Sequence, residues 1–170
     1  ENGEIFHPLG WEAHEAYTFL QEVPLYEQSG ILCRIPNWWS AKSAGARLRI
    51  SIGNAQPTFV GMDAVLQCVP SLFINGVPIT AEEARDLLHE SEGLALIKNK
   101  WVAVDKENLQ QTLAAYEKAR TLLEDGGLTL REALALQLSP EKLLGDEHAG
   151  VDIGVSYGEW FEDVTRKLLN

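Results

Sequence analysis

Asn75-Gly76 constrains this chain more than any other pair of residues. Both residues tolerate the positive φ of a type I′ turn, the tightest way to reverse one strand onto the next. Apolar runs flank them, from Leu66 to Ile74 before and from Val77 to Ile79 after, so an antiparallel hairpin is expected. Pro70 cannot donate to a ladder, which points to an edge position or a bulge within the first run. Thr80-x-x-Glu83 follows at once, a capping box that opens a helix to about Glu90.

The same punctuation recurs along the chain. Leu9, Ala13, Ala16, Phe19 and Leu20 repeat with helical spacing over residues 9–22, with Pro8 in the first turn and Pro24 ending or kinking the helix. Gly30 turns the chain, and Ile31 to Ile35 reads as a strand stopped by Pro36. Arg47 to Ile52 alternates with period two, a half-buried strand with Arg47, Arg49 and Ser51 on its outer face. A second hairpin is expected from Leu94–Lys98 and Trp101–Val104 around Asn99-Lys100. Asp105 caps a long helix to about Leu123, ended by Gly126-Gly127. Thr129-x-x-Glu132 and Ser139-Pro140 start further helices, and residues 145–150 read as a loop. Residues 151–155 form a short strand, and Ser156-x-x-Glu159 caps a last helix carrying Trp160, Phe161, Val164, Leu168 and Leu169. The expected class is α+β, with antiparallel hairpins interleaved with amphipathic helices.

At 170 residues the chain has the length of one domain, or of a domain with a small appended lobe. Its start, Glu1-Asn2-Gly3-Glu4, has neither Met nor an apolar signal segment, and the chain reads as a fragment of something longer. No run approaches a membrane span, so no membrane partner is expected. Cys33 and Cys68 stand far apart without CxxC or a nearby His pair, which argues against zinc or a disulfide scaffold and for a reducing cytoplasm. The net charge of −11 disfavours autonomous nucleic-acid binding. That charge is uneven: residues 31–60 contain Arg34, Lys42, Arg47 and Arg49 and no acid.

Motifs for bond-making chemistry are missing. The sequence has no P-loop, GxGxxG, HExxH or GxSxG. Asp146-Glu147-His148 imitates a helicase acidic box but lacks the apolar strand that would aim its carboxylates, so it reads as a loop. The sequence offers no evident third partner for His14 beside Glu15, and a hydrolase built on His14, Glu15 or Asp146 is the weakest reading. Trp38-Trp39 is the most informative local feature. Two adjacent indoles in extended chain point opposite ways, so one can enter the core while the other lies on the surface. With Arg34, Lys42, Arg47 and Arg49 around them, they suit contact with a protein or with nucleic-acid bases; the alternative is that both indoles are core and the bases a solvated face. Trp101 reads as packing on the helix that follows it.

The run from Phe19 to Trp39, and above all Pro36-Asn37-Trp38-Trp39, resembles the start of the helicase-associated domain of bacterial SWI/SNF-type helicases, of the DEAD/DEAH-like superfamily. Asn75-Gly76, the Thr80-x-x-Glu83 helix, Lys100-Trp101-Val102, Asp105 and Thr129 to Leu134 follow in the family's order. The resemblance spans about residues 16–140. It implies a helicase-associated domain over residues 1–140 and a C-terminal extension, 141–170, leading toward an ATPase core in the same parent chain. It further implies a non-catalytic accessory role in a bacterial, cytoplasmic DNA-dependent ATPase. The domain would position or regulate the motor or recruit a protein partner. ATP and magnesium would belong to the parent motor alone, and DNA would be reached through the parent. The rival reading is a nucleic-acid module with a winged-helix-like element at residues 80–123, although only one helix precedes the expected wing.

Overall fold

The Asn75-Gly76 turn forms where its chemistry puts it. In a computed structural model, which describes residues 10–39, 45–53, 64–91, 93–124 and 126–169, Asn75 and Gly76 take φ of 46° and 77°. They join β3 (Cys68–Ile74) to β4 (Val77–Ile79), with Ile74 opposite Val77. β1 (Ala46–Ile52) lies antiparallel on the other side of β3. β8 (Asp152–Tyr157) then pairs parallel with β1, giving the sheet order β4-β3-β1-β8. Two small ladders accompany it: β2 (Val65–Leu66) with β7 (Leu128–Thr129), and β5 (Leu94–Ile97) with β6 (Lys100–Ala103). The helices are α1 (Ala13–Gln28), α2 (Ala81–Glu90), α3 (Lys106–Glu124), α4 (Leu130–Leu138), α5 (Glu141–Leu144) and α6 (Glu159–Leu169). The class is α+β, as expected.

The alternation in β1 decides which face is core. Leu48, Ile50 and Ile52 are completely buried, in one cluster with Ala115 and Ala119 of α3. Arg47, Arg49 and Ser51 line the opposite face. A second cluster joins Leu72, Ile74 and Ile79 to Leu109 and Leu113, farther toward the N-terminal end of the same helix. Asp105 accepts from the Asn108 amide at 3.1 Å, the expected cap. Asn108 in turn accepts from the Ala46 amide at 2.6 Å and fixes the start of β1 against α3. Leu144 and Phe161 belong to the first cluster, so residues on both sides of β8 pack into the core.

Several expectations are corrected, some by local contacts and some by contacts distant in sequence. Pro24 does not end the first helix. α1 continues to Gln28, braced across the proline by Tyr26 donating to Glu22 at 2.6 Å and by Phe19 stacked on Tyr26. Residues 31–36 form no strand: Ile31 donates back to the Tyr26 carbonyl at 3.0 Å, folding the segment over the end of α1, where no strand pairs with it. The expected strand 66–74 splits at Gln67, because Leu66 pairs with Leu128 while β3 pairs with β1. Pro70 does sit where one side lacks a ladder, since β4 reaches only Leu72. The second hairpin turns one residue early, at Lys98-Asn99 with φ of 46° and 64°, and Lys98 donates to the Pro78 carbonyl at 2.5 Å. Ser156 caps nothing; it lies in β8 with its hydroxyl 3.0 Å from that of Ser51, and α6 starts after Gly158.

The capping boxes at Thr80 and Thr129 both form. At the second, hydrogen bonds from the Thr129 amide and hydroxyl hold the Glu132 carboxyl below its ordinary pKa. Thr129→Ala is expected to lower stability by about 1 kcal/mol, read as a shift in the urea midpoint. A depressed carboxylate stabilises the fold above its unfolded pKa. The difference between wild type and variant should therefore narrow as pH falls through the Glu132 folded-state value.

Candidate functional site

α1 is attached to the rest of the fold through a small cluster, Leu20 with Leu94 and Ala103, against which Tyr17, Ile35 and Trp39 pack. Residues 36–39 close a turn over this cluster, with the Trp39 amide donating to the Pro36 carbonyl at 3.1 Å. The turn sets the adjacent indoles edge-on to each other, ring centres 6.2 Å apart, at different exposures. Trp39 is half-buried and meets Tyr17 edge-on at 6.0 Å, while Trp38 is 44% exposed. Beside Trp38 runs a groove of about 320 Å³ between α1, the 34–38 segment and the β5–β6 hairpin. Trp11, Phe19, Arg34, Pro36, Trp38 and Trp101 line it, with Leu20 and Leu94 at its base. Trp11 lies edge-on to Phe19 at 4.9 Å. Three tryptophans, each 44–47% exposed, thus share one concave surface.

The basic window does not stay together. Arg34 joins Trp38 in the groove. Arg47 and Arg49 stand on the outer face of the sheet, where each has a partner: Arg47 pairs with Asp152 at 2.7 Å, and the Arg49 guanidinium lies 4.7 Å from the Phe73 ring centre. Lys42 lies outside the described residues. Trp101 departs from its expected packing on α3. It opens onto the groove instead, because Val102 takes the buried position of that hairpin. In the sequence Phe19 stands out only as part of the helical pattern and Trp11 not at all; Trp11 lies ahead of α1, so helical spacing does not link the two.

A second depression, about 420 Å³, adjoins the first and shares Leu94 and Trp101 with it. Its α2 side carries Glu83, Asp86 and Glu90. Lys98 lines it too, with its ammonium on the Pro78 carbonyl, and Arg85 of α2 pairs with Glu117 of α3 at 2.5 Å.

The remaining polar candidates have structural partners. Glu15 accepts from the Glu12 amide at 2.9 Å, and His14 Nδ1 lies 3.5 Å from Glu12, so His14 and Glu15 serve the helix start. Asp146–His148 form a 3-10 turn in which Lys118 binds Glu147 and the Leu144 carbonyl, and that lysine holds the Glu147 carboxyl below its usual pKa. Among the described residues, no three His, Cys, Asp or Glu converge as metal ligands, and no helix is long and apolar enough to cross a membrane. Burial raises the Cys68 thiol to about 11. In the native protein at pH 8, iodoacetamide is expected to label partly exposed Cys33 and to reach Cys68 only after unfolding, as mass spectrometry of the tryptic peptides would read.

The family described as SNF2 helicase protein matches residues 4–138. The chain belongs to that family. It is also similar, at 27% identity over 159 residues, to YwqA of Bacillus subtilis (strain 168), a protein named provisionally as an ATP-dependent helicase/translocase. That alignment covers 91% of this chain and 17% of YwqA, so the chain spans less than a fifth of the relative's length. No solved structure matches the chain. The SNF2 family match ends at Leu138, whereas the sheet of this domain is completed by β8, beyond it.

Proposed function

We propose that this chain is a non-catalytic accessory domain of an SNF2-type helicase, and that it acts through its surface by docking a protein segment and so positioning or regulating the adjoining ATPase core. One observation carries the proposal. In a member of the SNF2 helicase protein family, three half-exposed tryptophans converge on one groove instead of filling the core. Exposed aromatic clusters beside an arginine are the composition of protein interaction hot spots. ATP, magnesium and DNA engagement belong, in this proposal, to the motor of the parent chain, in the bacterial cytoplasm.

The rival is direct nucleic-acid binding through the α2–β5–β6–α3 unit. Arg34 and Trp38, which share the groove with Trp101 of that unit, favour it, since arginine beside exposed indoles suits base stacking. Against it, the helix before the hairpin carries Glu82, Glu83, Asp86 and Glu90, which would repel phosphate. The experiment compares the parent helicase with its Trp38→Ala/Trp101→Ala variant. Altered DNA-stimulated ATP hydrolysis, with none by the 170-residue chain alone, supports the proposal. ATP turnover by the isolated chain overturns it. Micromolar DNA binding by that chain, falling steeply with salt, selects the rival.

A further inference from the structure

We infer that the tryptophan groove and the acidic depression beside it form one composite site for a basic peptide segment, an apolar anchor seated among the indoles and Lys or Arg side chains laid along α2. This names the partner chemistry for the docking role proposed above and rests on that reading. The argument starts from continuity. The two hollows share Leu94 and Trp101, so a ligand leaving the groove across Trp101 passes directly onto the α2 flank. The groove supplies the apolar half. Trp11, Trp38 and Trp101 offer large rigid faces that lose little side-chain freedom on binding, and the hollow of about 320 Å³ takes bulky side chains.

The flank supplies the charge. Asp86 and Glu90 lie one turn apart on α2, like charges in mutual repulsion, and neither has a hydrogen bond or ion pair among the described residues. Glu83, one turn earlier, accepts from the Thr80 amide at 2.9 Å and keeps its charge at the same rim. Lys98 lines the same depression, its ammonium held on the Pro78 carbonyl, so three carboxylates face one cation there, while Arg85 is paired with Glu117. A cationic ligand relieves that repulsion; an anionic one increases it. Arg34 lines the groove but not the acidic depression, which orients the ligand with its basic end over α2.

The test uses the 170-residue chain and a fluorescein-labelled twelve-residue peptide with Leu and Trp anchors followed by four Lys or Arg, read by anisotropy. Control peptides replace the bases by Glu, or the anchors by Ser. The expected result is binding of the first peptide only. Trp38→Ala or Trp101→Ala should weaken it about tenfold. Asp86→Lys/Glu90→Lys on the helix surface should weaken it about fivefold and flatten its salt dependence, without changing the melting temperature. Equal binding of the acidic peptide, or affinity indifferent to these substitutions, overturns the inference. So does a sedimentation result in which the tryptophans mediate self-association, or single-stranded DNA binding with the same residue dependence. If the peptide fails while the Trp38→Ala/Trp101→Ala parent still shows altered ATP hydrolysis, the accessory role stands and this partner chemistry falls. Turnover by the chain alone would remove the accessory role whatever the peptide does.

Discussion

Removal of residues 141–170 is expected to leave a chain that does not fold cooperatively, even though the SNF2 family match ends before them. The physical reason is the position of β8. Each residue from Arg47 to Ile52 has a parallel partner between Asp152 and Tyr157, so truncation strips one side of the central strand. The exposed edge is long and carries Leu48, Ile50 and Ile52, the composition that pairs with other chains. Truncation also removes Leu144 and Phe161, both essentially without solvent contact. Phe161→Ala isolates one part of this loss. The ring is 1% exposed and stacks on Tyr157 at 4.6 Å, so its deletion should cost about 3–5 kcal/mol. That is a large share of the roughly 5–15 kcal/mol that holds a typical domain. Guanidinium denaturation followed by circular dichroism reads both changes. A 1–140 chain with a sharp transition at the midpoint of the whole protein would show that β8 is dispensable.

The second large effect is expected at Gly127. It follows α3 with φ of +71°, closes the helix by donating to the Leu123 carbonyl at 3.2 Å, and leads into β7. A methyl group there would press into the backbone carbonyl oxygen of Leu66, which belongs to the partnered strand and cannot swing aside. Left-handed backbone strain and overpacking each cost about 1–3 kcal/mol, so Gly127→Ala should lose about 2–5 kcal/mol. Gly30→Ala is the comparison. It shares the positive φ, at +84°, but has open space around it, and should lose only about 1–2 kcal/mol. Equal losses at the two positions would mean that conformation alone, and not the clash with Leu66, sets the cost.

What was legible in the sequence was local. The Asn75-Gly76 turn and the boxes at Thr80 and Thr129 are specified within four residues, and each forms. The buried alternation of β1 was legible for the same reason. What was not legible depended on partners far along the chain. Residues 31–35 have strand composition but no neighbour with which to pair. Ser156 looks like a cap until β8 aligns it with Ser51. The second hairpin turns one residue early, with Lys98 on the Pro78 carbonyl, and Val102 rather than Trp101 is its buried residue. The groove was half visible. Arg34 and Trp38 are near neighbours in sequence, but Trp11 and Trp101 join them only because α1 and the hairpin pack together.

The parallel pairing of β1 with β8 also sets an order of events. Ser51 and Ser156, hydroxyl to hydroxyl in the sheet, are separated by 105 residues. Closing so long a loop costs entropy before any contact repays it, which makes this ladder a slow and late step. During synthesis β1 is made well before β8 and must wait, unpaired on one side, until residues 152–157 have followed it. Arg47 and Arg49 put two like charges on that strand, and two copies pairing through it would bring those charges together.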